Sequence, residues 1–186
     1  MTFTIPALVV ALVLGPMEQP IPHGAEPDRA PFRTAMTLTV GGGNAMGSDD
    51  AVRAGTLGIR WLVRESLSVA AQMRWLHFQR SRRSTHGGGA ALLGRWHPVR
   101  GSRGTLFLEG GVGGVLTREA VPLGGTPANF STHLGVGSDL ALVGRVRLTG
   151  GIRWDHISNA NISRPNPGWD ALYAYLGLGM RVSEER

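Results

Sequence analysis

The chain has 186 residues, of which 28 are glycine, none is cysteine and 17% are charged. That length suits one domain, and the missing cysteines exclude a disulfide framework and thiolate zinc sites. The formal net charge of +6, carried by arginine, would suit nucleic acid or the phosphates of an anionic lipid surface. With no basic helix and no aromatic–basic motif, nucleic acid is not an expected partner.

Ile5 to Leu14 is an apolar run too short to span a bilayer as a helix, but it fits the apolar stretch of a signal peptide. Residues 1–25 are therefore expected to be a signal peptide, 26–31 a Pro-rich linker, and 32–186 the folded domain. From there the chain reads as alternating segments divided by turns. The first is Phe32–Gly42, with Met36, Leu38 and Val40 on one face. A polar loop, Asn44–Asp50, precedes Arg53–Arg64, which sets Leu57, Ile59, Trp61 and Val63 against Thr56, Gly58 and Arg60. Glu65-Ser66 is a tight connection to Leu67–Phe78. Gln79–Gly88, with Arg80, Arg82 and Arg83, is expected to be a long basic loop, solvated or facing lipid phosphates. Gly89–His97 reads as a shorter strand and Pro98–Arg103 as a turn. Gly104–Leu116 follows, then a long Pro/Gly loop, Thr117–Asn129, then Phe130–Leu142 and a tight turn at Val143-Gly144.

The last two segments carry most of the chemistry. From Arg145 to Ser158 the even positions are Val146, Leu148, Gly150, Ile152, Trp154, His156 and Ser158, whereas the odd ones include Arg147, Arg153 and Asp155. Side chains alternate along a strand, so His156 and Ser158 share the apolar face. After the Pro165-Asn166-Pro167-Gly168 turn, Asp170 has the parity of Leu172, Leu176, Leu178 and Met180. In a hairpin all three groups meet at its loop end.

A soluble barrel points its apolar face inward; an outer-membrane barrel points it to lipid. Arg147, Arg153 and Asp155 on one face are too many charges for a soluble core without elaborate pairing. About eight strands, with long and short connections alternating, fit an all-β, eight-stranded antiparallel transmembrane barrel of the outer membrane whose interior is packed with polar side chains. Run forward, that topology puts His156, Ser158 and Asp170 on the outer wall at the extracellular rim. Ser158 is then a candidate nucleophile, His156 its general base and Asp170 the acid that orients the imidazole. Asn159 and the backbone N–H groups of the Ala160-Asn161 turn are candidate oxyanion donors. An acyl ester of a lipid is the natural substrate, and no metal or other cofactor is called for. Two alternatives remain open on the residues alone. One is a non-catalytic outer-membrane barrel of the OmpA type with a structural or adhesion role; the other is a soluble ligand-binding barrel of the lipocalin type.

His156-Ile157-Ser158-Asn159-Ala160, followed by Pro165-Asn166-Pro167-Gly168 and Asp170, resembles the signature of the outer-membrane lipid A 3-O-deacylases, the PagL-like family also labelled acyloxyacyl hydrolases. Phe107 to Gly113, and Val121-Pro122 through Asn129 to Gly137, resemble family segments too. The resemblance implies an eight-stranded barrel that hydrolyses the 3-O-linked acyl ester of lipid A without a metal, with Ser158 as nucleophile, His156 as base, Asp170 as acid and Asn159 linked to the oxyanion site. Its implied partners are lipid A within lipopolysaccharide and the outer membrane, with a homodimer left open. The family's familiar members carry glutamate where this chain has Asp170. Aspartate is one methylene shorter, so the hairpin is expected to bring it closer.

Overall fold

The structure, a computed structural model, describes residues 34–80, 83–101 and 103–182. The expected signal peptide (1–25) and linker (26–31) lie outside the described residues, as does Arg82. Eight strands follow in chain order: β1 (Thr34–Ala45), β2 (Ala51–Arg64), β3 (Leu67–Gln79), β4 (Thr85–Arg100), β5 (Gly104–Thr117), β6 (Ala128–Ala141), β7 (Val146–Ser158) and β8 (Trp169–Val182). Each pairs antiparallel with its neighbour, and β1 closes on β8. No strand edge is left open, which a bilayer demands of a sheet that crosses it. The connections at one end (46–50, 80–84, 118–127 and 159–168) are longer than those at the other (65–66, 101–103 and 142–145).

The period-two pattern appears as burial. On β7, Arg147, Thr149, Arg153 and Asp155 are buried inside, whereas Ile152, Trp154 and His156 lie on the outer wall. Outward-facing Leu38, Leu57, Met73, Leu92, Val112, Leu134, Leu176 and Leu178 are each at least half exposed and form the apolar band. Among the described residues no helix is long and apolar enough to cross a membrane; a closed barrel crosses one with its strands.

Inside, most of the charge is paired, whereas Arg147 donates to the Asp139 backbone carbonyl (3.1 Å). Glu109 accepts from Arg95 (2.8 Å), Arg153 (2.7 Å) and the Tyr175 hydroxyl (3.2 Å). Arg60 meets Asp139 at 2.6 Å and Arg74 meets Asp155 at 2.5 Å. These ions are buried, so each depends on its partner to offset lost hydration. Phe107 fits beside them because Gly137 faces it; a Cβ at Gly137 would come within 2.5 Å of the Phe107 ring.

Four expectations need correction. β4 begins at Thr85, so the basic loop is shorter than the sequence suggests: the glycines at 87–89 stay in register with β3 and β5 instead of breaking the strand. β4 also runs past Pro98 to Arg100, accommodating the missing N–H with a register shift between Trp96 and Val99. Arg80 is neither solvated nor free to meet a phosphate. It is buried, and donates to the carbonyls of Arg83 (3.0 Å) and Ala120 (2.9 Å) and to Glu119 (3.1 Å), tying two long loops together. Finally, the interior is not polar throughout. At the long-loop end Val52, Phe78, Val115, Val121, Ile157 and Trp169 form an apolar cap, with Phe78 edge-on to Trp169 at 5.2 Å.

Candidate active site

The site lies where β7 ends and β8 begins. His156 is the direct cross-strand partner of Asp170, and Ile157 of Trp169. Ile157 and Trp169 point inward into the apolar cap, so the same hairpin turns His156 and Asp170 outward. His156 Nδ1 and Asp170 Oδ1 are 3.1 Å apart, with the two side chains about one-third exposed. A carboxylate only accepts, so Nδ1 carries the proton and Nε2 is the nitrogen left for a hydroxyl. The short aspartate reaches because register sets it opposite the histidine.

Two further residues hold the imidazole, and sequence reasoning did not assign either to the site. The Trp154 ring stacks on it, centroids 5.9 Å apart and planes within 22°; parity had placed Trp154 on this face, but only as part of the apolar band. Gly168 has φ of +68°, and a Cβ there would stand 3.3 Å from His156 Cε1. Glycine is suited to this turn both by conformation and by close approach.

Ser158 lies two residues beyond His156 on the same face, half-buried, opposite Phe130 of β6. Among the described residues its hydroxyl has no hydrogen-bond partner. The acid–histidine leg is therefore formed and the histidine–serine leg is open. Such legs often close only when substrate is bound.

The loop after Ser158 is tightly tied. Asn159 is buried; its backbone N–H donates to Asn166 Oδ1 (3.0 Å) and its side-chain amide to the Ser163 carbonyl (2.9 Å). Ala160 and Asn161 are both left-handed, with φ of 52° and 62°. This conformation is uncommon for alanine, and such strain gathers at functional turns.

A second Ser–His–Asp chain, which the sequence reading missed, lies inside the barrel. The Ser131 hydroxyl donates to His133 Nε2 (3.0 Å), and His133 Nδ1 donates to Asp155 (2.7 Å). Period-two parity on β6 was the available signal. Both connections of a triad are present, yet His133 is fully buried and Asp155 is also held by Arg74. A sealed, ion-paired chain cannot receive an ester; it braces β6 against β7 directly behind His156, whose cross-strand partner on β6 is Thr132.

Comparison with solved structures places the fold among outer-membrane barrels. The crystal structure of the outer membrane enzyme PagL matches with a TM-score of 0.62 and 18% identity, over 78% of this chain and 99% of that one. The neisserial surface protein NspA matches with a TM-score of 0.56 and 13% identity, over 80% and 97%. The outer membrane protein AlkL matches with 0.54 and 14%, over 91% and 100%. No curated protein sequence matches significantly. The model of the lipid A 3-O-deacylase (PagL) family matches residues 50–179, which contain every candidate site residue. The protein resides in the outer membrane, and the chain belongs to the lipid A 3-O-deacylase family.

Proposed function

We propose that the protein is a serine esterase that removes the 3-O-linked acyl chain of lipid A in the outer leaflet. The observation that carries this reading is the hydrogen-bonded His156–Asp170 pair with Ser158 beside it, on the lipid-facing wall at the long-loop end. Long loops lie outside in barrels of this class, so that end meets the outer leaflet.

In the proposed reaction His156 Nε2 takes the Ser158 proton as Oγ attacks the ester carbonyl carbon. The oxyanion is received by the backbone N–H groups of Ala160 and Asn161, with the second amide hydrogen of Asn159 as a further donor. Collapse breaks the bond to the sugar oxygen, and His156 returns the proton to that leaving alcohol. Water, deprotonated by the same imidazole, then releases the acyl chain from Ser158. Asp170 holds the imidazole tautomer and offsets the charge of the imidazolium. Phe130, Leu134, Trp154 and Leu172 line the wall beside and below the site, where an acyl chain can rest.

The test is expression in a Gram-negative host with mass spectrometry of its lipid A. Loss of one 3-hydroxyacyl chain is expected. Unchanged lipid A around a folded, inserted barrel would favour the non-catalytic reading instead.

Two substitutions probe how the imidazole is held. Asp170→Asn should lower kcat by roughly 10⁴-fold, the scale on which a triad fails when its histidine tautomer is wrong. Asp170→Glu should retain measurable activity. Equal loss in both would point to a packing role for Asp170. Gly168→Ala should cost about 1 kcal/mol for the left-handed backbone, and should lower kcat through the contact with His156. Kinetics beside urea unfolding would separate the two effects.

A further inference from the structure

Strands β2 to β5, separated from the β7–β8 pair by β1 on one side and β6 on the other, carry two features that the proposed reaction does not use. The first is a row of basic side chains across the outer wall at the long-loop end. Arg53 pairs with His77, and His77 with His86. The row continues to Arg118, whose backbone N–H donates to the His86 carbonyl at 3.0 Å. Arg53, His86 and Arg118 are exposed and His77 is half-buried. Neither arginine has an ion-pair partner among the described residues. The outward faces of β2 to β5 carry no carboxylate. Of the nearby acids, Glu119 is committed to Arg80 and Arg83, and Asp49 and Asp50 belong to the preceding loop.

The second feature is an apolar groove of about 490 Å³ in the same wall, below the row. Ala71 and Ala90 form its floor, and Leu57, Met73, Leu92 and Val112 its sides. Trp75 stands between groove and row, its ring stacked on His77 with centroids 6.2 Å apart. Its cross-strand neighbours are Gly55 and Gly88, which keep the wall low on either side. Arg53 and Leu57 are four residues apart, roughly 13 Å along the strand. At the usual tilt of barrel strands, roughly 40°, that is about 10 Å along the membrane normal, enough to carry from a lipid headgroup well into its own leaflet of a hydrocarbon core about 30 Å thick.

Basic donors at headgroup depth above a matching apolar trough are complementary to one kind of molecule. We infer that this wall is a second, non-catalytic site for a phosphorylated, acylated lipid of the outer leaflet, with its phosphate on the Arg53–His77–His86–Arg118 row and an acyl chain in the groove. Exposed arginines near the surface attract anionic headgroups, and the small residues leave room for a chain to pack. The site rests on the orientation proposed above, with the long-loop end in the outer leaflet, and not on the esterase chemistry.

The test uses the full barrel with Ser158→Ala, so that bound lipid is not consumed, and native mass spectrometry with diphosphorylated lipid A as the probe. Two retained lipids per barrel are expected. Arg53→Gln combined with His86→Gln and Arg118→Gln should reduce the doubly bound species at least tenfold. Ala90→Trp, which fills the groove without touching the row, should do the same. With Ser158 intact, deacylation by either variant should be unchanged. Heat-modifiable gel migration establishes that each variant is folded. An unchanged doubly bound species in both variants would overturn the inference. So would equal retention of a phosphate-free lipid with the same chains, which would mean ordinary annular contact, or displacement by millimolar inorganic phosphate, which would mean a site for the free anion. Each variant should lose one bound lipid relative to the Ser158→Ala barrel whether or not the β7–β8 site also holds one, so failure of the esterase reading alone would leave the result readable.

Discussion

Ser158→Ala should abolish deacylation, with a loss on the order of 10³-fold or more, as for other enzymes deprived of their nucleophile. The readout is the mass of lipid A from cells carrying the variant, alongside heat-modifiable migration of the barrel. The substitution is clean. The Ser158 hydroxyl makes no hydrogen bond among the described residues, so its removal orphans no partner and the barrel should be as stable as before. The matched control is Ser131→Ala. Ser131 belongs to the more completely bonded of the two Ser–His–Asp chains, and an argument from hydrogen-bond geometry alone would choose it. Access decides otherwise: Ser131 is sealed in the barrel, so its variant should keep activity within a few-fold. If Ser131→Ala were inactive though folded and Ser158→Ala active, the assignment of the outer site would fall.

Glu109→Gln should be the most damaging single change inside the barrel, at about 3–5 kcal/mol, the usual consequence of removing one partner from a buried ionic cluster. Glu109 is the only carboxylate hydrogen-bonded to Arg95 and Arg153 among the described residues, and it also accepts from Tyr175. Glutamine would leave two buried guanidinium groups without their hydrogen-bonded counter-charge, at ε too low for solvent to replace it. Urea unfolding of the barrel in lipid vesicles measures the effect. Glu119→Gln is the comparison: it also meets two arginines, but at the loop end with its side chain 28% exposed, and should cost under about 1 kcal/mol. Equal effects from both would show that solvent reaches the interior cluster.

Much of this molecule was legible in its sequence because strand periodicity is local. Arg147, Arg153 and Asp155 fell on one parity and Ile152, Trp154 and His156 on the other, and the charges were too many for any face but a closed polar interior. The same parity put His156, Ser158 and Asp170 together at one rim. The places where local reading failed are also consistent. Gly87 to Gly89 and Pro98 look like breaks, yet neighbouring strands hold them in the ladder. Arg80 looks solvated until a loop forty residues away supplies its acceptors.

What the sequence by itself determined is therefore the faces: which side chains meet lipid, which meet the interior, and at which end the candidate triad stands. What only the tertiary structure decided is register and pairing across strands. His156 stands opposite Asp170 because β7 and β8 align there, Arg74 finds Asp155 from 81 residues away, and the apolar cap draws on β2, β3, β5, β7, β8 and a loop at once. Alternation along a strand follows from the geometry of one chain, whereas register follows from closing the barrel, where eight strands must satisfy one another's hydrogen bonds and interior charges together.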